Sequence, residues 1–403
     1  VSDLRRALHA LLAEAEVRVD DLRARLRSRG APREGARPHL FGGHGNHIEA
    51  VVRGRVLDTP ALAEASPEDS AWRNLLGTLA RLESDEVPGA VVRVRAGEVE
   101  RDVIADEEGY FEARFPTPAG EGLWRPVEAT LVAAPEPWVP GAVGRASYQV
   151  PAPGAEFGII SDLDDTVIRT EATSLFRMAR RTFLDNAHTR EAFDGVATFY
   201  RALAFGPAGV ERPFFYVSSS PWNLFDLLVD FLHLNGIPPG TLLLKDYGLT
   251  ADHLLATDHV SHKLGHVLMV MDHHPELGFV LMGDSGQDDA EVYARVVDER
   301  PGRVRAVYLR DVVDERSEVR AAVEEIAAAG VPAVLGRDTG TLAQSAADAG
   351  LVAAGVLEDM ARAREERSDA VDATEPTHVA AREPPAPVVD VPAPDLDAAE
   401  PSD

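Results

Sequence analysis

The hydrophobic pattern along the chain changes its period twice. In the first 30 residues, "VSDLRRALHALLAEAEVRVDDLRARLRSRG", Leu4, Leu8, Leu11, Leu12 and Val19 recur near helical spacing with charge between them, which predicts an amphipathic helix. The Gly/Pro-rich stretch "SRGAPREGARPHLFGGHGNH" predicts a linker. From about 48 to 150 apolar and polar positions alternate in short segments: "EAVVRGRVL", "AVVRVRAG", "EVERDVIA", "YFEARF" and "VEATLVAA". Turn signals such as "DEEG" and "TPAGEG" separate them. That alternation predicts an all-β sandwich.

The second change comes at Pro151. Apolar strands "FGIIS", "FFYVS", "TLLL", "GFVLM" and "VRAVYL" now alternate with helical stretches "WNLFDLLVDFLHLN", "HKLGHVLMVM" and "DAEVYARVVDE". Strand then helix, repeated, predicts a parallel sheet with both faces covered. Beyond about residue 365 the chain is acidic and Pro/Ala-rich, a composition that predicts disorder. The expected plan is a helix and linker over 1–38, a β-sandwich over 39–152, an α/β domain over 153–358 and a disordered tail over 359–403.

Charge and composition narrow the partners. The net charge of −27 argues against general binding to nucleic acid or to an anionic membrane surface, although much of it sits in the tail and leaves room for a local basic patch. The chain has no cysteine, which excludes disulfides, thiolate metal sites and cysteine nucleophiles. The N-terminal segment lacks the continuous apolar core of a secretory signal, and no apolar run approaches the ~20 residues of a membrane-spanning helix. A cytoplasmic protein is expected. Arginine supplies nearly all the positive charge; the two lysines are Lys245 and Lys263, and lysine suits a place that needs a compact point charge.

Candidate chemistry concentrates at strand ends. "FGIISDLDDTVIRT" places Asp162, Asp164 and Asp165 directly behind an apolar strand, with Thr166 following. Parallel sheets bind ligands beyond the carboxyl ends of their strands. Carboxylates clustered there repel one another unless a cation joins them, and an oxygen-rich site of this kind suits Mg²⁺. "GFVLMGDSGQDD" repeats the arrangement with Asp284, Asp288 and Asp289, "PFFYVSSSPWN" delivers Ser218 to the same edge, and Lys263 opens a helix before the Asp284 strand. These are the parts phosphoryl transfer needs: a carboxylate nucleophile, a second carboxylate to handle protons, Ser and Lys to meet phosphate oxygens, and a metal.

The order Asp162-Leu163-Asp164-Asp165-Thr166, Ser218, Lys263, Gly283-Asp284 with a further acid resembles the haloacid dehalogenase (HAD-like) superfamily of phosphohydrolases. The segments "SDLDDTVIRT", "FFYVSSSPWNLF", "LLLKDYG" and "GDSGQDDAEVY" are more specifically similar to the Mg²⁺-dependent phosphatidate phosphatases of the actin-patch-protein type. The resemblance covers most of residues 40 to 350. It implies a Rossmann-like HAD-type fold behind the β-rich region and an aspartyl-phosphate formed on Asp162. It further implies Asp164 as general acid and then base, and Mg²⁺ held by Asp162, the Asp164 carbonyl and Asp284. Thr166, Ser218 and Lys263 complete the catalytic set, with Asp289 as the distal acid and Asp288 in a variable slot. The implied reaction is hydrolysis of phosphatidate to diacylglycerol and phosphate, in lipid metabolism.

Other readings stand beside this one. A soluble phosphomonoester is an alternative substrate. A non-catalytic, membrane-associated scaffold is a second alternative, disfavoured by the intact set of Asp162, Asp164, Lys263 and Asp284. "SLFRMARRTFL" mixes Arg177, Arg180 and Arg181 with apolar residues, a composition suited either to peripheral contact with an anionic membrane or to ordinary packing with solvated arginines. Six histidines lie between 253 and 274; His262 and His266 at i,i+4 spacing could bind zinc, but an exposed polar helix face is the simpler expectation, and the histidines of "GGHGNH" read the same way. Trp222 follows the Ser218 loop and could contact a substrate acyl or glycerol group, while capping the core is the commoner role for such a residue.

Overall fold

The computed structural model describes residues 33–58, 85–152, 154–163, 187–207, 209–245, 259–286, 288–312 and 317–372. The expected N-terminal helix, Asp164, Thr166, the Arg177–Arg181 segment and the tail beyond 372 lie outside the described residues.

Eight strands make the first sheet: β1 Ala36–Gly45, β2 Glu49–Asp58, β3 Asp85–Glu86, β4 Val91–Ala96, β5 Val99–Ile104, β6 Tyr110–Pro116, β7 Trp124–Ala133 and β8 Val143–Gln149. They hydrogen-bond in the order β3-β2-β1-β8-β7-β4-β5, with β6 on β2. This is one continuous hydrogen-bonded sheet where the alternation alone suggested two. β5 lies against β6, which folds the sheet round its own core. Alternate residues Val92 and Val94, Phe111, Ala113 and Phe115, and Val127, Ala129 and Leu131 are buried in that core, as a period of two requires.

Strand β1 occupies the stretch expected as a linker. Its glycines serve close approach rather than flexibility. Gly42, at φ 78°, sits at the register shift that follows Leu40, and a Cβ on Gly43 would lie 1.9 Å from the Val51 carbonyl oxygen. Glycine at a bulge and at a tight strand crossing looks like a linker in sequence because both uses select the same residue.

The second sheet is wholly parallel and has six strands: β9 Phe157–Asp162, β10 Phe214–Pro221, β11 Thr241–Lys245, β12 Gly278–Asp284, β13 Val304–Arg310 and β14 Ala333–Gly336. Helix α1 (Ala187–Phe205) precedes β10, α2 (Phe225–Leu234) precedes β11 and α3 (His259–His273) precedes β12. Then α4 (Asp289–Glu299) precedes β13, α5 (Ser317–Ala328) precedes β14, and α6 (Thr339–Asp348) and α7 (Val356–Asp372) follow it. The strands lie in the order β11-β10-β9-β12-β13-β14. Counted within the sheet this is 3-2-1-4-5-6, so the direction in which strands are added reverses between β9 and β12, and a crevice opens beyond their carboxyl ends.

Alternate strand residues feed two separate cores. Ile159, Phe214, Tyr216, Val280, Met282 and Tyr308 pack with residues of α1, α2, α6 and α7. Ile160, Phe215, Val217, Leu281, Val307 and Leu309 pack with residues of α3, α4 and α5. The near-continuous apolar strands of the sequence follow from this two-sided burial. Helix α7 runs on to Asp372, so a domain boundary at 358 would cut through a helix; the many charges of "EDMARAREERSD" lower its mean hydropathy without breaking helical propensity.

The two sheets meet at a built seam. Strand β1 flanks β11, the edge strand of the parallel sheet, and an otherwise open edge is thereby covered. The Thr241 hydroxyl donates to the Gly43 carbonyl at 2.9 Å, and the fully buried Gln149 amide donates to the Phe214 carbonyl at 2.6 Å and to Thr241 Oγ1 at 2.8 Å. Trp222 is buried in the seam with its ring stacked on Phe41 at 4.7 Å, and Arg55 donates to Asn223 Oδ1 at 2.9 Å. Among the described residues no helix is long and apolar enough to cross a membrane.

Candidate active site

The switch point between β9 and β12 is where the acidic residues converge. Asp162 is the last residue of β9 and Asp284 the last of β12. Asp289 opens α4. One carboxylate oxygen from each of the three lies within 4.8 Å of the other two. Lys263, from the first half of α3, reaches in from the other side. Its Nζ stands 2.8 Å from Asp162 Oδ1 and also bonds Asp289 Oδ1. The side chains of Lys263, Asp162 and Asp289 are 6%, 3% and 0% exposed.

Asp289 is held on both oxygens. Oδ1 takes the lysine, and Oδ2 accepts from the backbone N–H of Asp284 at 2.9 Å. Asp284 Oδ1 in turn accepts from the Gly286 N–H at 2.6 Å. Gly283 is required by this closeness, because a Cβ there would lie 2.3 Å from Asp289 Oδ2. Asp288 is exposed at the start of α4. Of the two neighbouring acids, then, Asp289 is the one the structure brings into the group.

Electrostatics separate Lys263 from an ordinary surface lysine. Burial works against its ammonium, yet the carboxylates of Asp289 and Asp162 more than offset that cost and hold its pKa above the usual lysine range. The group still contains three carboxylates against one ammonium. An all-oxygen donor set with a surplus of negative charge fits a hard divalent cation, so Asp162, Asp284 and Asp289 are the residues that could hold one.

Ser218 arrives at the same edge. Val217 pairs with Asp162 across β10 and β9, which leaves the buried Ser218 one residue further out. Its hydroxyl donates to Ser220 Oγ at 2.6 Å and accepts from the Ser220 N–H at 3.0 Å. Lys245 ends β11, opposite Pro221, and Lys263 is the lysine bonded into the acidic group.

Two residues next to Asp162 carry no motif. Ser161 Oγ donates to the Asp162 carbonyl at 3.0 Å, so Tyr200 Oη, 2.8 Å away, donates to Ser161. Burial, with the nearby Asp162 and Asp284, pushes Tyr200 up to about 12, so this phenol stays a proton donor at neutral pH. Tyr200 comes from α1, whose sequence shows only an amphipathic stripe. His262 and His266 differ from expectation: both are partly buried, with rings 4.3 Å apart. Burial, with His262 and Arg53 nearby, lowers His266 to about 3.

A parallel sheet with a buried acid–lysine group at its switch point places that group where doubly wound α/β domains bind their ligands. Residues 157–311 match the family described as "Phosphatidate phosphatase APP1, catalytic domain". Phosphatidate phosphatase APP1 of Saccharomyces cerevisiae is 34% identical over 170 residues, 42% of this chain and 28% of that protein. An uncharacterized protein of Schizosaccharomyces pombe is 27% identical over 158 residues, 39% of this chain and 25% of that protein. The chain thus spans about a quarter of the length of the curated relatives it matches. Among solved structures, a carbohydrate acetylesterase from Xanthomonas citri is 12% identical with a TM-score of 0.26, covering 76% of this chain and 67% of its own. That likeness is too slight to bear on function.

Proposed function

We propose that the parallel-sheet domain, from about residue 153 through helix α7, is a HAD-like phosphatase that hydrolyses phosphatidate to diacylglycerol and phosphate. The observation that carries this reading is Asp162: a buried carboxylate at the carboxyl end of the central strand, 2.8 Å from the Lys263 ammonium. The match of residues 157–311 to the APP1 catalytic-domain family supports the substrate. The β-rich region would serve as a companion domain, and access to a lipid headgroup would need only peripheral contact of a cytoplasmic protein with the bilayer.

In this reading an Asp162 carboxylate oxygen attacks phosphorus and the bond to the glycerol oxygen breaks. Asp164 gives its proton to that leaving oxygen, then accepts one from the water that attacks the aspartyl-phosphate. Lys263 keeps Asp162 ionised and meets the phosphoryl oxygens as charge shifts onto them. Asp289 fixes Lys263 in place, and Ser218 offers a hydroxyl to a phosphate oxygen. When Mg²⁺ is bound by Asp162, the Asp164 carbonyl, Asp284 and Asp289, it would neutralise phosphate charge and orient the group for in-line attack.

Substrate class is tested by comparing phosphate release from phosphatidate in mixed micelles with release from glycerol 3-phosphate, both in Mg²⁺. Higher kcat/KM on the micellar lipid supports the proposal. Higher kcat/KM on the soluble ester would assign the same chemistry to a water-soluble substrate.

A further inference from the structure

The histidines of "GGHGNH" and those near residue 274 meet at the other end of α3. His44, near the end of β1, His273, the last residue of α3, and His274, the next residue, each offer a ring nitrogen, and these nitrogens lie within 4.8 Å of one another. We propose that His44, His273 and His274 form a binding site for a zinc-class divalent ion at the seam between the β-rich region and the parallel-sheet domain.

The geometry is close to what such an ion needs. His44 Nδ1 and His274 Nε2 are 3.1 Å apart. Two imidazole nitrogens on one tetrahedral zinc, each at about 2.0–2.1 Å, stand about 3.3 Å from each other. On binding, the proton between the two nitrogens moves to the other nitrogen of its own ring, and both lone pairs face the ion. No net proton is released.

The third ring, His273, sits edge-on to His44 with centroids 4.7 Å apart; its Nε2–H donates to the Glu49 carbonyl at 3.2 Å, which leaves the Nδ1 lone pair for an ion. Its backbone is anchored, because Asn46 donates to the His273 carbonyl at 2.6 Å. His44 and His274 are 6% and 2% exposed, and burial favours their neutral, ligating form.

A cavity of about 380 Å³ opens on His44 and His273 and is bordered by Arg53, Arg114, Asp272 and Trp222. It gives a three-histidine site an open fourth position for water or an exogenous ligand. The two arginines on its wall would oppose a cation if unpaired. Arg53 is paired with Glu112, and Arg114 with Glu112 and Glu49.

This site is separate from the acidic group. Lys263 and His273 stand ten residues apart on one helix, ~15 Å along its axis. Its ligands come from both sides of the seam, so a bound ion would tie the two sheets together.

The test uses the full, tag-free chain, stripped with chelator and returned to excess Mg²⁺ so that the carboxylates are occupied. Zinc is then titrated by calorimetry, and Co²⁺ is used as an absorption probe of coordination. One Zn²⁺ per chain, and the intense visible absorption of tetrahedral nitrogen-ligated Co²⁺, are expected. His44→Gln and His273→Gln should each weaken zinc by at least ~100-fold, while Asp284→Asn leaves zinc affinity unchanged. Absence of zinc binding, or binding lost in Asp284→Asn and kept in His44→Gln, would overturn the site. Should the histidine variants fail to fold, the Co²⁺ spectrum of Asp284→Asn decides alone: weak absorption of an octahedral, oxygen-ligated ion refutes the proposal.

Discussion

Replacing Lys263 by Met removes the ammonium from a buried acid group while keeping most of the side chain's volume. Asp162 and Asp289, 3% and 0% exposed, would each lose a charge-assisted bond with no water to take its place. Breaking a buried ion pair by deleting one partner costs about 3–5 kcal/mol. In a domain of this size that loss lowers Tm by ~6–20 °C. The loss should depend on pH in a definite direction. In the variant the buried carboxylates titrate above their unfolded value of about 3.9. The folded state then binds more protons than the unfolded one, so stability is regained as pH falls through the raised folded pKa. Thermal unfolding in chelator at pH 7.5 and pH 5 measures both quantities. Adding Asp289→Asn to the lysine variant should recover part of the loss, because one uncompensated charge is gone. A loss under about 1 kcal/mol, as for an exposed pair, or one that is the same at both pH values, would refute the claim that Lys263 neutralises buried carboxylates.

Gly283→Ala should drive a methyl group into Asp289, which lies 2.3 Å from the ideal Cβ position; a cost of about 1–3 kcal/mol and a raised Mg²⁺ requirement for phosphate release are expected, read by urea unfolding and a metal titration. Gln149→Leu strands the buried acceptors of Phe214 and Thr241, so unfolding should show a loss of about 1–3 kcal/mol and exchange of seam amides should rise. His266, lowered to about 3 chiefly by burial, binds fewer protons folded than unfolded between pH 3 and its unfolded value near 6.5, so it removes stability as pH falls through that window. His266→Leu should therefore flatten the acid slope by at most ~1.4 kcal/mol per pH unit, measured as the difference between two denaturation series.

Much of the parallel-sheet domain was legible because two-sided burial writes uniform apolar runs. "GFVLM" lies within β12, and "DAEVYARVVDE" coincides with α4. β14 escaped because "AVLG" is four residues long and only partly buried. β1 escaped because its glycines, placed for a bulge and a close crossing, resemble those of a linker. In the site, Asp162 and Asp284 were legible from their places behind strand ends and Lys263 from its order between them, while the pattern alone left Asp288 and Asp289 as alternatives and the resemblance pointed to Asp289. The choice of Asp289 over Asp288 follows from helix geometry: the first turn of α4 turns one carboxylate in to Lys263 and leaves the other in solvent. Tyr200 was illegible, since its partnership with Ser161 is a contact between a helix and a strand 39 positions away. The histidine group was likewise spread over 230 residues and assembled only by the docking of β1 on the parallel-sheet domain.

The central claim is that Asp162 attacks phosphorus. The direct measurement is phosphate release from dispersed phosphatidate in Mg²⁺ by the full chain and by Asp162→Asn, both verified as folded. Release by the parent chain, abolished by chelator and reduced to background by Asp162→Asn, is the predicted result. Undiminished release by Asp162→Asn would contradict the account, because an amide at this position has no carboxylate oxygen with which to form the phosphoryl intermediate.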